Sequence, residues 1–276
     1  MEITSDHPAH SFASSFPSVT TEAPRGTTLE FRDVSVRFGG LLALSDTNFK
    51  VHENEIVGLI GPNGAGKTTA FNVACGFQKP TSGTVRFPLL GRESIKPSQL
   101  AKAGVARTLQ GVGLFSHLSI LENVMAGAQS RHEGGILTSL LGLAKGLRSE
   151  RSLRAEALEQ LDRLGIARFA PALPGAVPYG IAKKVSIARA LMAKPRLLML
   201  DEPASGLDES ELEEFARLIT ELRATMSVLL VEHNMDFVMP LVDQLVVLNF
   251  GQVIATGSPE SIATNPDVLA AYLGID

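Results

Sequence analysis

The chain has 276 residues and a formal net charge of −4, with 45% hydrophobic and 20% charged residues. This composition supports a globular core and excludes global disorder, and the acidic balance excludes the basic footprint of a nucleic-acid-binding protein. A single cysteine excludes an internal disulfide, and no apolar run reaches the ~18 residues that span a bilayer, so we expect a one-domain intracellular protein.

Residues 1–28 differ from the rest of the chain. Ser, Thr, Pro and Ala dominate this segment, and its first basic residue is Arg25. A secretory signal needs an early basic patch followed by an apolar stretch, and neither is present. We therefore predict a flexible tail over residues 1–28 and a folded domain over residues 29–276.

The first half of the domain alternates strands with one helix. Apolar alternation and apolar runs bounded by glycine predict strands over residues 29–38, 41–51, 55–60 and 83–87. A helix is predicted from Lys67 towards Cys75. The pair Gly39-Gly40 predicts the turn between the first two strands, and a Pro-Thr-Ser-Gly turn over residues 80–83 precedes the last one.

Residues 118–191 have a helical pattern. Ile120, Val124 and Met125 fall on one helix face, and the four leucines Leu153, Leu158, Leu161 and Leu164 predict an amphipathic helix. Strand patterns return at residues 196–200, 227–231 and 244–248. A helix with an acidic first turn, from Asp208, separates the first two of these strands. Strands that alternate with helices predict parallel βαβ units.

A phosphate-binding motif follows the strand over residues 55–60. The sequence G-x-x-x-x-G-K-[ST] stands between a predicted strand and a predicted helix, and comprises Gly61, Pro62, Asn63, Gly64, Ala65, Gly66, Lys67, Thr68 and Thr69. Glycines allow successive N–H groups to point at phosphate oxygens, and the helix N-terminus adds positive potential. We expect Lys67 to contact the β- and γ-phosphates and Thr68 to ligate Mg²⁺.

Two carboxylates at the end of a later apolar strand indicate which class of phosphate-binding protein this is. Asp201 and Glu202 follow residues 197–200. At the carboxyl end of a strand, Asp201 can hold Mg²⁺ through water, and Glu202 can act as a general base on the attacking water. Together with the phosphate-binding motif they predict an ATPase.

With these motifs the sequence resembles the ATPase subunits of ABC transporters from about Leu29 to Asp276. The resemblance implies an α/β P-loop NTPase fold: a RecA-like core with a parallel sheet, an N-terminal antiparallel β subdomain and a helical subdomain inserted at about residues 112–190. It also implies ATP and Mg²⁺ as cofactors.

The resemblance assigns roles to four further residues. Phe38 matches the aromatic residue that stacks on adenine, and Gln110 matches the glutamine that senses Mg²⁺ and the transmembrane partner. His233 matches the histidine that contacts the γ-phosphate. Asp208 lies in a segment similar to the D-loop that crosses the dimer interface, although it would also serve as a helix N-cap.

The signature motif departs from the family pattern. Where the family usually has L-S-G-G-Q, this chain has Val177 followed by Pro178, Tyr179, Gly180 and Ile181. In the family this segment contacts the ATP bound to the opposite subunit. Proline has no hydroxyl and no N–H to donate, and isoleucine cannot replace the polar glutamine.

Tyr-Gly in this segment, and a closing Ala-Tyr-Leu-Gly after Asn-Pro, are similar to the ATPases of branched-chain amino acid, amide and urea importers. The resemblance implies transmembrane permease subunits, a second ATPase subunit (identical or different), an extracytoplasmic solute-binding protein acting indirectly, and no nucleic acid. It also implies a peripheral location on the cytoplasmic face of the inner membrane. Two alternatives stay open: a weakly active regulatory subunit with an asymmetric degenerate site, and a non-transport ABC ATPase.

Overall fold

The computed structural model describes residues 25–108, 111–128 and 143–273 of the chain. Two sheets form its framework. The smaller, antiparallel sheet has the strand order β2-β1-β4, with β1 at Thr27–Phe38, β2 at Leu41–His52 and β4 at Ser82–Arg86. The strand predicted over residues 83–87 is confirmed as β4, an edge strand that pairs only with β1 in this sheet.

The larger sheet has the order β5-β6-β7-β3-β8-β9. Its strands in chain order are β3 at Ile56–Ile60, β5 at Val105–Arg107, β6 at Leu197–Asp201, β7 at Ser227–Val231, β8 at Gln244–Asn249 and β9 at Gln252–Gly257. All neighbours are parallel except β8 and β9, so the predicted parallel core is confirmed. The sequence pattern did not reveal β5, which is only three residues long, or β9, whose apolar residues are only half-buried.

Eight α-helices cover these sheets within the described residues. They are α1 (Lys67–Ala74), α2 (Ile120–Ala126), α3 (Leu143–Arg163), α4 (Tyr179–Leu191), α5 (Glu209–Leu222), α6 (Met235–Val238), α7 (Pro259–Ala263) and α8 (Pro266–Leu273). Helices α2, α3 and α4 stand between β5 and β6 in the chain, where helical structure was predicted. None of the helices in these residues is long and apolar enough to cross a membrane.

The apolar face of α3 differs from the prediction in one residue. Leu161 and Leu164 are buried and Leu153 is half-buried against the core, but Leu158 is exposed. Ala157 takes the buried position instead. Successive helix residues are rotated by about 100°, so Leu158 points away from the face that Ala157 and Leu161 share.

The first strand begins at Thr27, two residues before the predicted start of the domain. Thr28 is buried, and its hydroxyl lies 2.9 Å from the hydroxyl of Ser227 on β7. This contact joins β1 to the larger sheet and gives the buried hydroxyl of Thr28 a hydrogen-bond partner. Residues 1–24 lie outside the described residues, so the flexible tail stays a prediction.

Two apolar cores lie on opposite faces of the larger sheet. On β3, Ile56 and Ile60 belong to one core, while Val57 and Leu59 belong to the other. A parallel strand buried on both faces therefore has a continuous apolar sequence. The carboxyl ends of β3, β6 and β7 meet at one edge of the sheet, which is where open α/β sheets bind ligands.

Candidate functional site

The phosphate-binding loop connects β3 to α1, as its motif predicts. Gly61 has φ 146°, and a Cβ there would lie 2.0 Å from the carbonyl oxygen of Leu248. Gly66 precedes the helix with φ 103°, and a Cβ there would lie 2.6 Å from the carbonyl oxygen of Ala43. Only glycine fits both positions, so the motif's first and last glycines are fixed by backbone shape.

Lys67 lies against this loop. Its Nζ donates hydrogen bonds to the carbonyl oxygens of Gly61 at 2.7 Å and Pro62 at 2.9 Å. Burial lowers the pKa of Lys67, and the negative charge of Glu202 opposes that shift. The structure thus brings the lysine of the first motif within electrostatic reach of the carboxylate of the second.

A cleft of about 390 Å³ opens beside the first turn of α1. It is lined by Phe38, Thr68, Thr69, Asn72, Phe77, Gln78 and Arg107. Phe38 is 47% exposed at the end of β1, so its ring is available to a ligand. The structure brings the predicted aromatic residue and the two threonines together around one cleft.

Asp201 ends β6, and its surroundings are partly buried. Its Oδ2 lies 3.8 Å from Nη2 of Arg107. Burial raises the pKa of Asp201, while the charge of Arg107 lowers it. Arg107, whose guanidinium also lies 5.0 Å from the ring centroids of Phe71 and Phe77, had not been identified as a site residue.

Glu202 has an unusual backbone. Its φ is 48°, in the left-handed region, and its N–H donates to the carbonyl oxygen of Val231 at the end of β7. On the other side, Nζ of Lys183 donates to the carbonyl oxygens of Glu202 at 3.2 Å and Pro203 at 2.6 Å. A left-handed non-glycine residue is strained by about 1–2 kcal/mol, and such strain often marks a functional position.

His233 follows β7 and faces Glu202. Its Nδ1 lies 3.9 Å from Oε1 of Glu202, and its side chain is 60% exposed. The preceding residue, Glu232, is fully buried. Its carboxylate accepts hydrogen bonds from the N–H groups of Ala204 at 2.6 Å, His233 at 3.0 Å and Asn234 at 3.3 Å. Glu232 therefore joins the loop after Glu202 to the loop that carries His233.

The signature segment forms the start of α4. Pro178 is the N-cap residue, and its carbonyl oxygen accepts a hydrogen bond from Ala182. Pro178 and Tyr179 are exposed, Gly180 is buried and Ile181 is half-buried against the core. The two residues that depart most from the family pattern thus have different surroundings, since Pro178 lies at the surface and Ile181 contributes to packing.

Asp208 caps helix α5. Its Oδ1 accepts from the N–H of Glu211 at 2.9 Å, and its own N–H donates to Oε2 of Glu211 at 3.1 Å. This reciprocal pair is a capping box, so the N-cap interpretation that the sequence left open is confirmed. Gln110 lies outside the described residues.

Lys183 and Glu232 could not be identified from a motif, although one pattern hinted at the lysine. Gly180, Lys183 and Ile187 lie three and four residues apart on α4 and are all buried. A lysine on the buried face of a helix needs a polar partner.

The ligand chemistry for a metal is also present, because Thr68 and Asp201 offer the hydroxyl and carboxylate oxygens that Mg²⁺ prefers. Among the described residues, no three His, Cys, Asp or Glu side chains form a metal-binding group by themselves.

Comparison with known proteins agrees with this geometry. Residues 44–205 match the family described as ABC transporter, and residues 252–276 match the family described as branched-chain amino acid ATP-binding cassette transporter. The chain is 43% identical over 249 residues to the high-affinity branched-chain amino acid transport ATP-binding protein BraF of Pseudomonas aeruginosa, covering 89% of this chain and 97% of BraF. It is 40% identical over 248 residues to LivG of Escherichia coli strain K12, with the same two coverages.

Solved structures with the same fold include two cassettes from ABC transporters. One is a nucleotide-free ATP-binding cassette with a TM-score of 0.76 and 27% identity, which covers 89% of this chain and 98% of its own. The other is a cassette in its ADP conformation, with a TM-score of 0.77, 28% identity and coverages of 90% and 99%. The likeness extends over both sheets and the helices between them.

Proposed function

This chain belongs to the ABC transporter family, and from that premise we propose that it is the ATP-hydrolysing subunit of an importer for branched-chain amino acids or similar small polar solutes. The solutes would pass through separate membrane subunits. The observation that carries the proposal is the edge of the larger sheet, where the phosphate-binding loop with Lys67 follows β3 and Glu202, 3.9 Å from His233, follows β6. The names of BraF and LivG supply the solute class.

In this proposal ATP binds along the loop from Gly61 to Thr69, with adenine against Phe38. Lys67 exchanges its contacts with the carbonyl oxygens of Gly61 and Pro62 for the β- and γ-phosphates. The residues that would hold Mg²⁺ are Thr68 and Asp201, together with Gln110, and the ion supplies neutralisation of phosphate charge.

Hydrolysis then depends on the residues after β6 and β7. The Glu202 carboxylate accepts a proton from the attacking water. The exposed imidazole of His233, 3.9 Å from that carboxylate, turns towards the γ-phosphate. Most of the rate enhancement comes from positioning and from charge stabilisation rather than from covalent chemistry.

The assembly is also part of the proposal. Two ATPase subunits would sandwich two ATP molecules, each site combining one phosphate-binding loop with the other chain's signature segment and with Asp208 at the interface. Closure would act on transmembrane permease subunits at the cytoplasmic face of the inner membrane, with a solute-binding protein on the other side. The tail predicted over residues 1–28 would instead end before Thr27, where β1 begins, and the helical subdomain of the domain predicted over residues 29–276 would span about residues 112–190.

The proposal is tested with the chain copurified with its membrane subunits and reconstituted in vesicles. We expect ATP-driven uptake of labelled leucine, and loss of that uptake in Glu202→Gln with ATP binding retained. The matched control is Glu213→Gln, an exposed glutamate on α5, which should leave uptake unchanged. Uptake of urea or short amides but not leucine would refute the solute class, and leucine uptake by Glu202→Gln would refute the mechanism.

A second candidate function is favoured by the signature segment. Pro178 offers neither a hydroxyl nor an N–H at the surface of α4, so the site completed by this segment should hydrolyse ATP poorly. Paired with a different ATPase that has a normal signature, the chain would form one strong and one weak site. Glu202→Gln would then cost more activity than the equivalent change in the partner, and equal losses would exclude this asymmetry.

A further inference from the structure

Lys183 is a buried lysine with no assigned role. It lies on α4, two residues after the end of the signature segment, and is only 6% exposed. Both hydrogen bonds of its ammonium described above end on backbone carbonyl oxygens, those of Glu202 and Pro203. A buried ammonium that donates to carbonyls holds a backbone conformation, because its charge strengthens each bond relative to a neutral donor.

The backbone that it holds is the one that orients the Glu202 side chain. Glu202 has φ 48°, and its N–H is bound to Val231 on β7. With the carbonyl oxygen bound to Lys183, the peptide groups on both sides of the Glu202 side chain are held. Strained backbone persists only where the surrounding structure holds it, so without these contacts we expect Glu202 to relax and its carboxylate to move away from His233.

The start of α4 also packs on the segment from β6 to α5. Within α4, Nζ of Lys183 lies 5.4 Å from the centre of the Tyr179 ring. That ring lies against Gly206, where a Cβ would be 3.0 Å from Cε1 of Tyr179. Gly180 faces the carboxylate of Glu211, where a Cβ would be 2.2 Å from Oε1. The start of α4 is therefore packed on the segment that carries Glu202, within one chain.

We propose that Lys183 is a positioning residue, which holds the Glu202 carboxylate in its working orientation and joins it to the signature segment of the same chain. The inference rests on the proposed function, in which Glu202 acts on the attacking water. A shift at the start of α4 would reach Glu202 through Lys183. The signature segment, which would contact the ATP bound to the partner subunit, would thereby be coupled to Glu202, which would act at the ATP bound to this chain.

The test replaces Lys183 in the complex of the full-length chain with its membrane subunits. Lys183→Met keeps the aliphatic length and removes the donor. We expect kcat for ATP hydrolysis to fall about tenfold or more, the loss that follows from a charged hydrogen bond. KM and the Kd for a fluorescent ATP analogue should change less than about twofold, since uniform binding is untouched. Lys183→Arg, which can still donate to both carbonyls, should recover most of the rate.

The control is the neighbouring lysine. Lys184 is half-buried on α4 and pairs with Glu214 on α5, so Lys184→Met makes the same chemical change away from Glu202. It should leave kcat unchanged. If Lys183→Met unfolds the complex, Lys183→Gln, which retains an N–H donor, serves in its place with a smaller fall in kcat. A rise in KM or Kd equal to the fall in kcat would overturn the proposal, since it would show a merely structural role.

The double variant separates this inference from the proposed function. If Lys183 acts through Glu202, Lys183→Met will lower the residual rate of Glu202→Gln no further. If Glu202→Gln alone leaves hydrolysis intact, the proposed function fails, and the inference fails with it. If Glu202→Gln abolishes hydrolysis while Lys183→Met behaves like Lys184→Met, the role of Glu202 stands and only the role of Lys183 is overturned.

Discussion

The buried carboxylate of Glu232 stabilises the site, although it has no catalytic role in the proposed mechanism. Its two oxygens accept three backbone N–H groups, from Ala204 on one loop and from His233 and Asn234 on another. The bond from Ala204 is buried, because the Glu232 side chain is fully buried, and the bonds from His233 and Asn234 are part-buried. Replacing the carboxylate therefore leaves at least the N–H of Ala204 with no water to bind.

Glu232→Gln preserves the shape and removes one acceptor oxygen. The less costly orientation keeps the amide oxygen on His233 and Asn234 and places the NH₂ group against the N–H of Ala204. One buried donor then loses its partner, which costs about 1–3 kcal/mol. Glu232→Ala removes the acceptor of all three donors and leaves the buried site unfilled, so we expect a larger loss than for Glu232→Gln.

Thermal unfolding followed by circular dichroism measures these losses. For a domain of this size 1 kcal/mol corresponds to a shift of about 2–4 °C in Tm, so Glu232→Gln should lower Tm by about 2–12 °C and Glu232→Ala by more. The exposed Glu213→Gln should shift it by less than about 2 °C. A Tm for Glu232→Gln inside the range of that control would refute the three-bond arrangement. ATP hydrolysis should fall as well, because the same carboxylate joins the loops of Glu202 and His233.

Three further predictions concern the phosphate-binding loop, the cleft and pH. Gly61→Ala should abolish ATP binding or folding, because its Cβ would overlap the carbonyl oxygen of Leu248. At Gly64 a Cβ meets open space, so Gly64→Ala should cost only the strain of a positive φ, about 1–2 kcal/mol. Equal effects of the two variants on Tm would contradict this. Phe38→Ala should raise the Kd for ATP about 3- to 10-fold through lost stacking, while Phe38→Tyr should retain it, and an unchanged Kd in both would exclude Phe38 from the adenine site. Burial raises the pKa of Glu55 above its ordinary 4.5, so the folded state binds this proton more tightly than the unfolded state. The contribution of Glu55 to the stability of the folded protein therefore falls as the pH rises from about 4.5 through its folded pKa. The Tm difference between Glu55→Gln and the parent chain should therefore shift in favour of the variant as the pH rises from 4.5 to 7, and a difference independent of pH would contradict this.

The features predicted correctly from sequence are those fixed by short stretches of chain. The loop from Gly61 to Lys67 needs positive φ angles, and a strand and a helix flank it on either side. Asp208 and Glu211 are three residues apart, which is the spacing of a capping box. Such patterns need no tertiary information.

The residues that were missed are joined over long sequence separations. Lys183 contacts carbonyl groups about twenty residues away, and Glu232 contacts the N–H of Ala204 across two strands. Every residue has a backbone C=O group and every residue except proline has an N–H, so the residue types at positions 203 and 204 do not indicate that a side chain will bind there. The pairing of β6 with β7 brings Glu232 to Ala204, and the position of α4 beside the end of β6 brings Lys183 to its two carbonyl groups.

The unusual signature segment is compatible with the fold around it, and this determines where its consequences fall. A residue at the N-cap contributes its carbonyl oxygen to the helix, and Pro178 does so to Ala182 without needing an N–H. Ile181 adds apolar contact to the core where a glutamine would need a polar partner. Both departures therefore fit helix α4. In the proposed dimer, their effect should lie on the exposed surface that Pro178 and Tyr179 would present to a partner's nucleotide, and on the position of α4, to which Lys183 would couple Glu202.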